Sequence, residues 1–482
     1  MTKTKFSALF YYSVITLSIL SGCKKPAPEN LVTIDLNDKK QTIQNFGASD
    51  AWACQFVGLW PDEKRNQAAD WLFSKELDSN GKPKGIGLSL WRFNIGAGST
   101  DQKNIQDEWR SAECFLQKDG TYDFNKQAGQ QWFLTAAKAR GVEKLLAFTN
   151  SPPVTMTKNG KAFSSGGESA NIDRSKYDAF AQFLVDVLSN FDRQGTHFDY
   201  ISPFNEPQWD WKDNTQEGSP YTNQEIHAIS KKIDSLISKN NLSTKIQIGE
   251  AGLLVYLYDG YDKPARGSQV NAFFSSTSPF YLGDRTNVDK IISGHSYFTA
   301  APVEVLKEVR TKVGDEIKKA SVPLEFWQSE YCILGDKEEV KAEGKDTGID
   351  PALYVARTIH HDLAVANASA WHWWLSISPY DYKDGLIYID KSKTDGKVKD
   401  TKLLWALGNY SRFIKPGAVR VSSQSEKINI DDPKGIMISS YLNPGGDELI
   451  VVAINEAETN QTLGIQLKDK NVKSFLTYIT GP

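Results

Sequence analysis

Cysteine is scarce in this chain, with four among 482 residues, and none stands in a Cys-x-x-Cys pair. No His-x-x-x-His spacing occurs either, so the sequence implies neither a metal site nor a cofactor. A charge excess of one sign is also missing. The formal net charge is −3, with Lys, Arg, Asp and Glu interspersed, so no basic stripe exists to track a nucleic acid. No stretch reaches the roughly 18 continuous apolar residues of a transmembrane helix. Internal repeats and low-complexity tracts are absent. Aromatic residues, by contrast, are abundant, with 13 Trp and 19 Tyr. Most must fill a large core, but aromatic faces also stack on sugar rings, which suits a neutral polymer as partner.

The N-terminus has the layout of a secretory signal. Lys3 and Lys5 precede an apolar run from Ala8 to Leu20, too short to span a bilayer comfortably. Leu20-Ser21-Gly22-Cys23 follows and resembles a bacterial lipobox, whose Cys becomes the lipidated first residue of the mature chain. Lys24, Lys25, Pro26 and Pro28 would break any continuing helix. The expected layout is a signal peptide over 1–22, a lipidated tether over 23–30, and a body outside the cytoplasm, held to the cell envelope membrane through Cys23. Removing Lys3 and Lys5 shifts the formal charge from −3 to −5. With Cys23 lipidated, Cys54, Cys114 and Cys332 remain. Three leaves at least one thiol free, so disulfides are not what holds the fold together.

Short apolar runs recur through the body: Asn45–Asp50, Gly87–Ile95, Lys144–Asn150, Phe198–Asn205, Lys245–Glu250, Ile291–Tyr297, Leu324–Glu330 and Ala368–Leu375. Continuous rather than alternating apolar character marks parallel strands covered on both faces. Helical signals lie between them. Tyr177, Phe180, Phe183, Leu184, Val187, Leu188 and Phe191 form a helical stripe, Thr222 with Glu225 makes a capping box, and Asp350-Pro351 reads as an N-cap followed by Pro in the first turn. Eight alternations fit an α/β fold of the (β/α)8 TIM-barrel type over 45–413 better than an open sheet. The pattern then becomes β-rich, with Ala418–Ser422, Gly435–Leu442, Glu448–Ala453, Thr462–Leu467 and Val472–Ile479 separated by turn sequences. Leu31–Leu36 and Gln41–Ile43 also read as strands. The expectation is an antiparallel β-sandwich side domain built from 31–44 together with 414–482.

Two glutamates end strand candidates. Glu206 closes Ile201-Ser202-Pro203-Phe204-Asn205-Glu206-Pro207, and Glu330 closes Leu324-Glu325-Phe326-Trp327-Gln328-Ser329-Glu330. Two carboxylates aimed into one cavity are a minimal set for glycosidic-bond hydrolysis, and the C-terminal strand face of a barrel is where such sites are built. Glu250 also ends a strand candidate and is the rival to Glu330, or a ligand of sugar hydroxyls.

Ile201-Ser202-Pro203-Phe204-Asn205-Glu206-Pro207-Gln208, Trp327-Gln328-Ser329-Glu330-Tyr331, Asn45-Phe46-Gly47-Ala48-Ser49-Asp50, Trp91-Arg92-Phe93-Asn94-Ile95-Gly96 and Thr149-Asn150-Ser151-Pro152-Pro153 together resemble the family 30 glycoside hydrolases, which are retaining enzymes. The resemblance runs in order from about residue 31 to the C-terminus. It implies that Glu206 is the general acid/base and Glu330 the nucleophile, that Asn205 binds the sugar 2-hydroxyl, and that Arg92 orients Glu330 and keeps it ionised.

Further candidates line the same rim. His295 and Tyr297 could contact the nucleophile or the sugar, and Asp50 and Trp52 could offer a hydroxyl and a ring contact. Trp371 and Trp373 share one strand face, so one of that pair is expected as a sugar platform, with Trp374 packing against helices. Within the family the chain is most similar to the endo-β-1,6-galactanase-like group, through Ser-Pro-Phe-Asn-Glu-Pro-Gln followed by Trp209 and Trp211, and through Val154-Thr155-Met156 after Asn-Ser-Pro-Pro. β-1,6-Glucan, xylan or glucosyl substrates, and a non-catalytic carbohydrate-binding lipoprotein, remain alternatives.

Overall fold

The computed structural model describes residues 16–18, 30–335 and 339–482. Its centre is a closed barrel of eight parallel strands: Asn45–Ser49, Leu90–Asn94, Lys144–Phe148, Tyr200–Ser202, Lys245–Ala251, Val288–His295, Glu325–Glu330 and Ala370–Ser378. Closure comes from the eighth strand, in which Trp371 pairs with Phe46 of the first and with Gln328 of the seventh. All eight lie on the apolar runs read from the sequence. Every residue of the first, second and eighth strands is buried, as continuous apolar character requires when helices cover one face and a packed interior the other.

The helices follow their local signals with one shift. Tyr177–Arg193 buries Phe180, Leu184, Val187, Leu188 and Phe191 against the barrel. Asn223–Lys239 starts at the capping box, with Glu225 N–H donating to Thr222 Oγ1 and Thr222 N–H to Glu225 Oε2. The helix Ile349–Ala364 begins after Gly348, so Asp350 is not its N-cap. It lies inside the first turn, where its charge meets the positive end of the helix dipole.

Two strands were not expected. Gly385–Ile389 pairs in parallel with the eighth barrel strand and Val398–Asp400 pairs antiparallel with it in turn, so the sheet continues past the barrel at the mouth.

A second, curled sheet gathers the chain's two ends. Asn30–Thr42 is one long strand rather than two, with register shifts where it pairs antiparallel with Val419–Gln424. Ile436–Leu442 and Leu449–Asn455 continue the antiparallel order, while Thr462–Leu467 lies parallel to Asn30–Ile34 on the other side. Val32, Ile34, Val421, Ile436, Ile438 and Leu463 form its own small core. Met437, Tyr441, Val452 and Ile454 join the barrel's core instead, so this sheet and the barrel share an apolar interface.

Val472–Ile479 is not a strand. Its apolar residues fall on both faces of any strand it could form, and the neighbouring edge of Thr462–Leu467 is taken by Thr16–Ser18. The segment runs over the helix Lys402–Ser411, with Tyr478 against Phe413 at 4.6 Å and Thr480 bonded to Asn409, leaving Phe475, Leu476 and Ile479 exposed. Cys23 and the tether up to residue 29 lie outside the described residues, while Asn30 opens the strand Asn30–Thr42. Cys54, Cys114 and Cys332 are buried and form no disulfide with one another. Among the described residues no helix is long and apolar enough to cross a membrane.

Candidate active site

Barrel strand ends deliver the polar side chains to one point. In the second strand Trp91 packs outward against Phe73 and Phe133, so Arg92 points inward, and its guanidinium lies 4.4 Å from the Phe148 ring centroid. Glu206 and Glu250 both sit at positive φ, 43° and 50°, conformations that cost a non-glycine residue of order 1–3 kcal/mol and persist only where the surroundings enforce them. Here Glu206 N–H donates to the Glu250 carbonyl at 2.9 Å, and Trp209 N–H and Trp211 Nε1–H hold the Glu206 carbonyl. Gly249 precedes Glu250 at φ 118°, and a Cβ there would run into the Ser293 backbone. Only glycine fits.

Three glutamates and two cations meet. Arg92 Nη1 donates to Glu330 Oε2 at 2.9 Å and Nη2 to Glu250 Oε2 at 3.0 Å. His295 Nδ1 lies 2.8 Å from Glu206 Oε1, and its Nε2 lies 2.8 Å from Glu250 Oε2. Tyr297 donates its hydroxyl to Glu330 Oε1 at 3.0 Å. Carboxylate oxygens of Glu206 and Glu330 come within 4.8 Å of each other.

The electrostatics separate the acids. Burial pushes the Glu206 carboxyl up to about 7, Glu330 and Glu250 add to the rise, and the His295 bond opposes it. Burial also acts to raise Glu250, but Arg92 and then His295 more than offset it and hold that carboxyl at about 2. For His295, burial opposes the charged ring, yet Glu330, Glu206 and Glu250 together lift it to about 10. Two neighbouring carboxyls kept in opposite protonation states near neutral pH are the arrangement acid/base chemistry requires.

Glu206, His295 and Glu330 are the one trio of close ligand-type side chains among the described residues.

Other candidates fall into distinct places. Asn205 is buried and its Oδ1 has no hydrogen-bond partner among the described residues. Asp50 is fully buried, accepts the Asn94 N–H at 2.8 Å, and is pushed up to about 8 by burial. Trp52 stands edge-on to Trp374 at 5.3 Å, with the Arg110 guanidinium 5.3 Å from its ring.

The expectation for Trp371 and Trp373 is overturned. Both are completely buried, with Trp371 Nε1 bonded to Asp362 of the helix Ile349–Ala364 and Trp373 Nε1 to the Asp384 carbonyl. They occupy the layer outside the barrel and offer no face at the mouth. Trp374 is the inward residue, touching Trp52 and Phe148. His372, a polar residue in the same strand, points inward to Asn45 Oδ1 at 2.6 Å. Inward residues of opposite parity to His372 are excluded by the pleat. Sequence reasoning also missed Phe298, half exposed beside Tyr297 at 6.2 Å. Its signal was its place three residues past the strand that ends at His295.

The O-glycosyl hydrolase family 30 model matches residues 29–388, a span containing all eight barrel strands and every glutamate of the cluster. The chain belongs to glycoside hydrolase family 30. It is an O-glycosyl hydrolase, and its relatives act on different glycans. The endo-β-1,6-galactanase of Hypocrea rufa is 24% identical over 426 residues, covering 83% of this chain and 78% of that protein. The glucuronoxylanase XynC of Bacillus subtilis strain 168 is 21% identical over 490 residues, covering 99% and 90%. Among solved structures, a conserved exported protein from Bacteroides fragilis superposes with a TM-score of 0.85 at 37% identity, covering 91% of this chain and 92% of that one.

Proposed function

We propose that this family 30 hydrolase is a retaining glycosidase acting on β-1,6-linked galactan, with Glu206 as general acid/base and Glu330 as nucleophile. The approach of their carboxylate oxygens to within 4.8 Å carries the reading. Inverting pairs stand about 6.5–9.5 Å apart to admit a water, whereas a nucleophile that reaches the anomeric carbon directly needs about 5–5.5 Å. Arg92 and Tyr297 hold both oxygens of Glu330, which fixes its orientation. Glu206, raised to about 7, carries the proton for the leaving oxygen. In the first step Glu330 forms the bond to the anomeric carbon as the glycosidic bond breaks and Glu206 protonates the departing oxygen. In the second, Glu206 takes a proton from water as that water displaces Glu330. The free Asn205 Oδ1 suits a sugar hydroxyl next to the scissile bond.

The galactan assignment draws support from the galactanase relative and from Trp209 and Trp211 beside Glu206. Export and lipid anchoring at Cys23 draw support from the signal-like N-terminus and from the exported Bacteroides protein. The test is incubation with β-1,6-galactan, β-1,6-glucan, glucuronoxylan and aryl glycosides, with products sized and the first-formed anomer read by NMR. β-Anomeric galacto-oligosaccharides support the proposal. Hydrolysis of another polymer alone replaces the substrate, an α-anomer removes the mechanism, and no hydrolysis returns the binding-protein alternative. Fatty-acid labelling that persists in C23A would remove the anchor.

A further inference from the structure

Glu250 stands outside the two-carboxylate mechanism, yet it is the most deeply buried acid of the three. It is 1% exposed, and one oxygen, Oε2, receives both Arg92 Nη2 and His295 Nε2. The other ring nitrogen of His295 faces Glu206 Oε1 at 2.8 Å, with Glu330 Oε1 at 3.7 Å. A neutral imidazole has a single N–H and would turn a lone pair toward one of these carboxylates. Around the ring stand Glu206, Glu250 and Glu330 from the fourth, fifth and seventh strands and Tyr297 beyond the sixth. Arg92 from the second strand and His372 from the eighth lie behind Glu250. His372 is kept neutral, its burial and the Arg92 charge holding it at about 3. Three acids therefore face one imidazole and one guanidinium.

We propose that Glu250 is a positioning residue for the acid/base: it holds His295 as a doubly donating cation, so that Glu206 Oε1 always accepts and the transferable proton rides on Oε2. This rests on the reading of Glu206 as general acid. A carboxyl group carries one proton, and an oxygen already receiving Nδ1–H is the poorer site for it. The proton is thus confined to the oxygen free to face a glycosidic bond. In the first step the Oε2–H bond breaks, its proton goes to the leaving oxygen, and the Glu206 carboxylate that remains keeps the His295 bond. The imidazolium neither gains nor loses a proton. Without the Glu250 charge the ring deprotonates, Nδ1 becomes an acceptor, and the Glu206 proton turns toward it and away from substrate.

The experiment combines histidine ¹⁵N NMR with leaving-group kinetics on wild type, E250Q and E250D. Wild type and E250D are expected to show His295 protonated on both nitrogens through the neutral and mildly alkaline range, and E250Q to show a neutral ring there. E250Q is expected to lose about 10- to 100-fold in kcat on a substrate with a poor leaving group. On an aryl glycoside with a good leaving group the loss should be about 3-fold or less, because only the former depends on proton donation. A neutral ring in wild type, an unchanged cationic ring in E250Q, equal losses on both substrates, or a change confined to KM would each overturn the proposal. The NMR reading needs no turnover, so a chain inactive on every glycoside would refute the function while still judging the Glu250–His295 pair.

Discussion

Arg92 Nη1 lies 2.9 Å from Glu330 Oε2 with both side chains buried, and the same guanidinium reaches Glu250 at 3.0 Å. One planar fork therefore orients two carboxylates. Removing one member of a buried ion pair leaves the other charged and unpaired, at a cost of about 3–5 kcal/mol. R92A should lower the melting temperature and abolish turnover. R92K should fold better but stay nearly inactive, since an ammonium cannot reproduce the fork. Thermal unfolding and kcat for both variants check this, and a fully active R92K would show that charge alone suffices.

Glu330→Ala should reduce turnover below detection while leaving room for a small anion, so azide should restore activity and yield the glycosyl azide of inverted configuration. If Glu250→Ala is rescued in this way and Glu330→Ala keeps activity, the two roles have been exchanged.

Glu206 must be protonated for the first step, so the rate of that step should fall as pH rises through about 7. Its folded value lies above the ordinary 4.5, so the folded state binds more protons between these two values. Its contribution to stability is complete below 4.5 and is lost as pH rises to about 7. Glu206→Gln removes that dependence. It should also cut turnover of polymer by roughly 10²–10⁴-fold while sparing glycosylation by good-leaving-group aryl glycosides. Loss of equal size on both substrates would count against the acid/base role.

Trp374 and Trp373 should behave as opposites. Trp374→Ala removes the inward ring that stands edge-on to Trp52 and should raise KM for polymer with a modest change in melting temperature. Trp373→Phe deletes the bond to the Asp384 carbonyl, leaving that buried acceptor short at a cost of about 1–3 kcal/mol, with KM unchanged. Polymer binding that weakens only in the Trp373 variant would restore the discarded platform.

Truncation at Lys415 removes Val419–Gln424 and Thr462–Leu467, the two neighbours of Asn30–Thr42, and strips Met437 and Tyr441 from the shared core. The fragment should be insoluble, since it exposes both edges of a long strand and an apolar barrel face. Recovery of soluble, active barrel would show the second sheet to be detachable.

The eight barrel strands were legible in the sequence because each is a local fact: a short, continuously apolar run between helical stripes and caps. The rim positions of Glu206 and Glu330 were legible for the same reason, as polar residues closing apolar runs, whereas Arg92 was legible as the one cation inside such a run, in mid-strand between Trp91 and Phe93. Tertiary structure alone decided which face of the eighth strand looks inward. Four aromatic residues in succession, Trp371-His372-Trp373-Trp374, carry no local signal of direction, and the choice was made by Asp362 and Asp384 bonding two indoles outside and Asn45 bonding His372 within. The role of Glu250 was equally hidden. Sequence places it at a strand end like its two counterparts, but whether a carboxylate serves substrate or serves as counter-charge depends on which cations reach it. Arg92 and His295 arrive at its Oε2 from the second and sixth strands, and only closure of the barrel brings those strands together around it.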